Sequence, residues 1–315
     1  MSAAKRIVEV DILRAMAIAF VVLGHVLMVS PTGWFLRDCI YSFHMPLFFI
    51  LSGFVTASSF EAHPDVWRKV RKSTRRLLVP YVVCGLLIMP VVNTLLTGQP
   101  EPSFIEGWKN AFVRNRFLWY LPCCFFLNCC FVVGRPLWRL IVLVAVLGIV
   151  YWLFPQVDYI RSVLSYIIPF FTGVFLFHHA DWMLKPSGRA ALVSSAALVA
   201  IAVGFALLGE RTLGAHLLRS MGGLAAVLPL AFVAERAARH PMLGEALAIP
   251  GRNTLFTYCF DFCAAPIAMQ FFAPSNLWQA LAIGFGIVVL ANLIVLGWGE
   301  MKASLALELV RMKKG

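Results

Sequence analysis

Apolar runs of about 20 residues, each long enough to cross a ~30 Å hydrocarbon core as a helix, recur along the whole chain. They lie near 7–30, 38–60, 76–97, 117–133, 139–155, 163–180, 189–209, 217–235, 253–273 and 277–299, and charge clusters or Pro and Gly separate them. A helix satisfies its own backbone hydrogen bonds where lipid offers none. The pattern therefore predicts an all-α, polytopic integral membrane protein of about ten transmembrane helices. It forms a single membrane-embedded domain over 1–315, with helices from about 7 to 300 and no soluble domain. The first run carries Arg14 and His25 and lacks a small-residue cleavage site, so it reads as a transmembrane helix, not a signal peptide.

Composition agrees. Of 315 residues, 61% are hydrophobic and 13% charged, and the mean hydropathy is +0.83, whereas soluble domains carry roughly a quarter charged residues. A formal net charge of +12 invites a nucleic-acid partner, but the basic residues sit in short loops between apolar runs, so that reading is set aside. With the N-terminus inside, nineteen Lys and Arg residues fall in cytoplasmic segments and seven in outer ones, Arg14 staying within the first run. That asymmetry predicts both termini cytoplasmic. The longest outer loop, "GQPEPSFIEGWKNAFVRNR", reads either as a rim facing a polar acceptor or as a plain connection. No repeat suggests the inverted halves of many secondary transporters. "CCFFLNCC" at Cys123, Cys124, Cys129 and Cys130 lacks zinc spacing and reads as small buried hydrophobes, with no metal expected.

Ionisable groups inside a membrane helix are costly and tend to face a cavity or a partner. The first helix holds Asp11, Arg14 and His25. At ~100° per residue, eleven steps return to within about 20° of the start, so Arg14 and His25 share a face roughly 16 Å apart along the axis. Arg14 then lies toward the cytoplasm and His25 in the outer half. Taken singly, Arg14 also fits a snorkelling or Asp11-paired arginine, and His25 a core histidine; together on one face they favour function.

The second run, "YSFHMPLFFILSGF", puts His44 near the depth of His25 and Ser52 with Gly53 near that of Arg14. His44 reads as a second proton carrier or an interfacial histidine, and Pro46 and Gly53 as packing or close-approach positions. "WRKVRKSTRRLLVPY" crowds Arg68, Lys69, Arg71, Lys72, Arg75 and Arg76 before the third run. Such a cluster fits membrane lipid headgroups or the phosphates of a soluble anionic cofactor. "FLWYLP" puts Trp119 and Tyr120 where an aromatic belt is expected. "GRNTLFTYCFD" leads from Asn253, Thr254 and Tyr258 to Asp261 near mid-membrane, a carboxylate that wants a basic partner such as His25 or Arg14.

As a set these segments resemble the membrane acyltransferase 3 family. "RAMAIAFVVLGH" is similar to its Arg-x10-His first-helix signature, with Asp11 matching the acidic residue of "LDxLR". "FHMPLFFILSGF", "RRLLVPY", "FLWYLP" and "GRNTLFTY" follow its later motifs in order, so the resemblance spans about 7–300. The chain departs from it at Asp261 and at Phe117, where relatives often have histidine. The resemblance implies transfer of an acyl group, commonly acetyl, from cytoplasmic acyl-CoA to a carbohydrate hydroxyl. Acceptors would be exopolysaccharide, O-antigen or lipid-linked glycan precursors, and the chain looks like the short, stand-alone members of the bacterial inner membrane. On this reading Arg14, Arg75 and Arg76 hold the CoA phosphates, Ser52, Asn253 and Tyr258 belong to the donor side, and His25 is the general base or an acyl carrier. Asp11, His44 or Asp261 would orient His25 or relay its proton. A transporter or flippase for a lipid-linked sugar, and a lipid O-acyltransferase, are the rival readings.

Overall fold

Three charges crowd the first turns of the opening helix, Glu9, Asp11 and Arg14, yet this helix is the one that the others surround. The computed structural model describes residues 7–27, 31–62, 65–97, 118–133, 137–153, 158–208 and 213–312. Helix α1 (Val8–Val26) buries Ile12, Leu13, Ala17 and Ile18 almost completely. It is followed by α2 (Pro31–Tyr41), α3 (His44–Ala62) and α4 (Val66–Ser73). Two π-helical turns, Thr74–Leu78 and Cys84–Ile88, link α4 to α5 (Val79–Val83) and α6 (Met89–Thr97). The chain continues with α7 (Tyr120–Val133), α8 (Leu137–Leu153), α9 (Asp158–His178), α10 (Ala180–Leu184) and α11 (Gly188–Leu208). It ends with α12 (Leu213–Ala238), α13 (Pro241–Arg252), α14 (Thr254–Phe272) and α15 (Leu277–Met312). Among the described residues there is no strand.

Every apolar run anticipated from the sequence lies in a helix. Five segments are long and apolar enough to cross a membrane: Thr32–Ala62, Gly188–Leu208, Leu217–Ala238, Thr254–Phe272 and Leu277–Gly299. The outer-loop sequence "GQPEPSFIEGWKNAFVRNR" and Phe117 lie outside the described residues.

Small residues let the helices close on one another. A Cβ on Gly53 would strike the Phe170 carbonyl, and one on Gly173 the Ile50 carbonyl, so α3 and α9 cross backbone to backbone. Gly53 therefore serves helix packing, one of the two uses its position suggests. Helix α13 is the element that hydropathy alone does not announce. It starts with Pro241 in its first turn and packs along α1. Gly251 comes against the Asp11 carbonyl, which sets Arg252 beside Asp11.

The π turns have a local cause. Pro80 has no N–H to return to the Arg76 carbonyl and its ring crowds that carbonyl, so the ladder slips. The Val79 N–H bonds instead to the Thr74 carbonyl, five residues back. The widened turn carries Arg76.

Candidate active site

Helices α1 and α14 form a side-by-side pair joined at two depths. At one end the Arg14 guanidinium donates to the Thr254 hydroxyl at 2.5 Å and lies 3.7 Å from the Asp11 carboxylate. At the other, His25 Nδ1 lies 2.6 Å from Asp261 Oδ2. Both Arg14 and His25 thus face the same partner helix, as their eleven-residue spacing requires. Between them on that face are Ile18 and Val21, packed and dry.

The His25 end has the geometry of a positioned base. A carboxylate can only accept, so the hydrogen bond assigns the proton to Nδ1, and His25 donates it to Asp261. The lone pair is then on Nε2. Asp261 is 0% exposed and the His25 side chain 27%, so the carboxylate is sealed behind an imidazole that meets a cavity. Phe262 stands edge-on to the imidazole with ring centroids 6.2 Å apart. The second carboxylate oxygen, Oδ1, is buried with no hydrogen-bond partner; a buried orphan acceptor costs about 1–3 kcal/mol.

The cavity at this end encloses about 480 Å³, within the ~300–1,000 Å³ range of ligand pockets. His25, His44, Asp261 and Arg219 give it polar groups, and Tyr41, Trp119, Tyr166 and Tyr258 give it aromatic walls. His44 is buried, with its Nδ1 donating to the Ile40 carbonyl at 2.9 Å, and its ring packs on Tyr41 at 4.7 Å. It shares the cavity with His25 but its Nδ1 is committed to backbone.

A second, narrower cavity of about 110 Å³ opens at the Arg14 end. Arg14, Lys69, Lys72 and Arg76 supply its charge and Ser52, Tyr120 and Thr254 its hydroxyls. Ser52 and the Tyr120 hydroxyl are hydrogen-bonded to each other. The Lys69 ammonium donates to the Thr56 carbonyl at 3.3 Å. Burial, helped by Lys72 and Arg76 nearby, pushes its pKa down to about 8. Tyr258 lines both cavities. This four-cation set fits phosphate oxygens: Arg binds them bidentately and Lys as a point charge.

The structure brings together His25, Asp261, His44 and Tyr258 at one end, and Arg14, Arg76, Ser52 and Tyr258 at the other. It separates the rest. Asp11 is fourteen residues from His25, ~21 Å along the axis, too far to orient or relay for it. Its carboxylate instead receives Arg252 at 3.3 Å and faces Arg14, so it holds the arginine end. Arg75 is exposed and outside the cavity wall, because the π turn aims Arg76 inward and its neighbour away. Asn253 points to Asn292 of α15 at 3.4 Å instead of into the cavity.

Trp119 and Tyr120 are not a membrane belt. Tyr120 is buried because α7 begins beside Ser52, midway along α3, and Leu118 just before it is held at φ 47°. A left-handed bulky residue is uncommon and costs energy; here it turns both aromatic rings into the protein. Trp119 packs on Tyr166 at 5.3 Å.

Sequence reasoning missed Arg219, Lys69, Lys72 and Arg252 as site residues. All four look like ordinary flanking charges, and only packing shows which of them turn inward.

Comparison with known protein families finds one match, the acyltransferase 3 model, described as an acyltransferase domain, over residues 7–296. No curated protein and no solved structure matches the chain.

Proposed function

The chain belongs to the acyltransferase 3 family, and from that premise we propose a membrane-bound O-acyltransferase that moves an acyl group, acetyl in the first instance, from cytoplasmic acyl-CoA to a carbohydrate hydroxyl. The acceptor is an exopolysaccharide, an O-antigen or a lipid-linked glycan precursor. The protein crosses the bacterial inner membrane ten times with both termini cytoplasmic. The observation that carries the reading is the Asp261–His25 pair on a ligand-sized cavity, connected through Tyr258 to a four-cation cavity at the other end of the same helix.

Arg14, Arg76, Lys69 and Lys72 hold the donor phosphates, and Asp11 with Arg252 keeps Arg14 in place. Tyr258, common to both cavities, stands where the thioester must pass. His25 Nε2 takes the proton of the acceptor hydroxyl as its oxygen bonds to the thioester carbonyl carbon. The carbon–sulfur bond then breaks, and His25 returns the proton to the departing sulfur. Ester and thiol are the products, and His25 ends as it began. Asp261 is a positioning residue: it fixes the tautomer and steadies the imidazolium while it lasts.

Lys69 gives this scheme a pH signature. Its ammonium is charged below about 8 and neutral above, so the cavity loses one positive charge as pH rises through that value. Affinity for CoA measured by calorimetry is expected to fall several-fold between pH 7 and 9. Lys69→Arg, which stays charged, flattens that fall; an equal fall in the variant removes Lys69 from the donor site.

Mass spectrometry of surface polysaccharide from cells with and without the protein tests the whole reading. An acyl-sized mass difference on the glycan is expected; identical polysaccharide, with lipid carrying the difference, would make it a lipid acyltransferase.

A further inference from the structure

The acceptor side carries more positive charge than moving a proton requires. Arg219, in the second turn of α12, lines the His25 cavity, and its guanidinium lies 4.9 Å over the Phe205 ring. Arg37 stands behind the same wall, 4.0 Å over the Tyr41 ring, and Tyr41 is itself part of the lining. Acidic groups do not balance these two at the cavity surface. Asp261 is engaged by His25, and Asp38 is paired with Arg37 at 3.0 Å outside the lining. Arg219 is therefore the fixed cation that the cavity presents to a ligand, and His25 adds a second positive charge each time it takes the acceptor's proton.

The stacking on Phe205 matters for this argument. An arginine held flat on a ring keeps its fork in a set orientation while its charge stays undiminished. A planar, preorganised fork of this kind suits the paired oxygens of a carboxylate or the oxygens of a phosphate. A neutral sugar would give it only single hydroxyl contacts, and would leave the desolvated charge poorly paired. The aromatic walls Trp119, Tyr166 and Tyr258 provide the apolar faces that a pyranose ring packs against.

Resting on the proposed acyl transfer to a carbohydrate, we propose that Arg219 selects an acidic acceptor. The glycan carries an oxyanion on or beside the sugar whose hydroxyl is acylated, and Arg219 binds it and so aims that hydroxyl at His25. The oxyanion is either a sugar carboxylate, as in a uronic acid, or a sugar phosphate, as in an activated or lipid-linked precursor. Either serves the same fork.

The test is acceptor competition with the purified full-length protein and acetyl-CoA. Methyl pyranosides of gluco, galacto and manno configuration are offered as the neutral sugar, its 6-carboxylate and its 1-phosphate. In the wild type, an acidic member of at least one set is expected to react with kcat/KM tenfold or more above its neutral counterpart, and which member identifies the oxyanion. Arg219→Met is expected to erase that preference mainly through KM, and Arg219→Lys to restore part of it. A merely structural role would lower all acceptors together and leave the ratio unchanged. A wild type that prefers neutral sugars, or an Arg219→Met protein with the acidic preference intact, overturns the proposal alone. Thioester consumption with no transfer to any saccharide overturns it together with the carbohydrate reading.

Discussion

His25→Ala is expected to lower acyl transfer by about 10²–10⁴-fold, the range that a positioned general base contributes, while CoA still binds. The reason lies in the division of the site along α1. The cations that hold phosphate surround Arg14, whereas His25 belongs to the other cavity, so removing the imidazole leaves the donor site whole. Binding of CoA within about twofold of wild type, beside a transfer rate reduced to background, is the expected pair of results. His25→Ala that still transfers at the wild-type rate would remove the base from the mechanism. Arg14→Ala should show the complementary pattern, a weakened donor complex with the His25–Asp261 pair undisturbed.

Asp261→Asn should be nearly as severe. The amide can donate as well as accept, so it no longer dictates that His25 carries its proton on Nδ1, and it brings no charge to steady the imidazolium. A loss of kcat of about 10²–10⁴-fold is expected, with CoA affinity and melting temperature close to wild type. The stability readout is informative because a buried carboxylate with one oxygen unpartnered adds little to folding. If the variant instead melts far below the wild type and recovers full turnover per folded molecule, Asp261 is a structural residue and the pair does not act as a unit.

These two residues also mark how much the sequence disclosed. Arg14 and His25 were legible because helical periodicity converts an eleven-residue spacing into one face, whatever packs against it. A carboxylate in the "LFTYCFD" run was expected to seek histidine or arginine, and Asp261 meets His25. Asp11 was misplaced for a related reason. Closeness in angle was read as closeness to the whole face, whereas the rise along α1 puts it at the Arg14 end, where α13 delivers Arg252.

Which charges turn inward is set by packing that no local pattern encodes. Lys69, Lys72 and Arg76 enter the cavity and Arg75 does not, through a π turn forced by Pro80. Arg219 looks like a loop charge and lines the His25 cavity. Trp119 and Tyr120 match a belt by composition, but α7 starts at the level of Ser52 and takes them inside. The helical character of the chain was readable throughout, because apolar runs of span length have few alternatives in lipid.

The central claim is that one molecule cleaves a thioester and esterifies an acceptor without any membrane gradient. Detergent-purified protein, given acetyl-CoA labelled in the acetyl group and a glycan fraction from the same cells, measures this directly. Free thiol and labelled glycan should appear in equal amounts, with neither in the His25→Ala protein. If the folded wild type consumes no thioester while sealed vesicles containing it move a lipid-linked sugar, the chain is a transporter and the mechanism proposed for His25 is wrong.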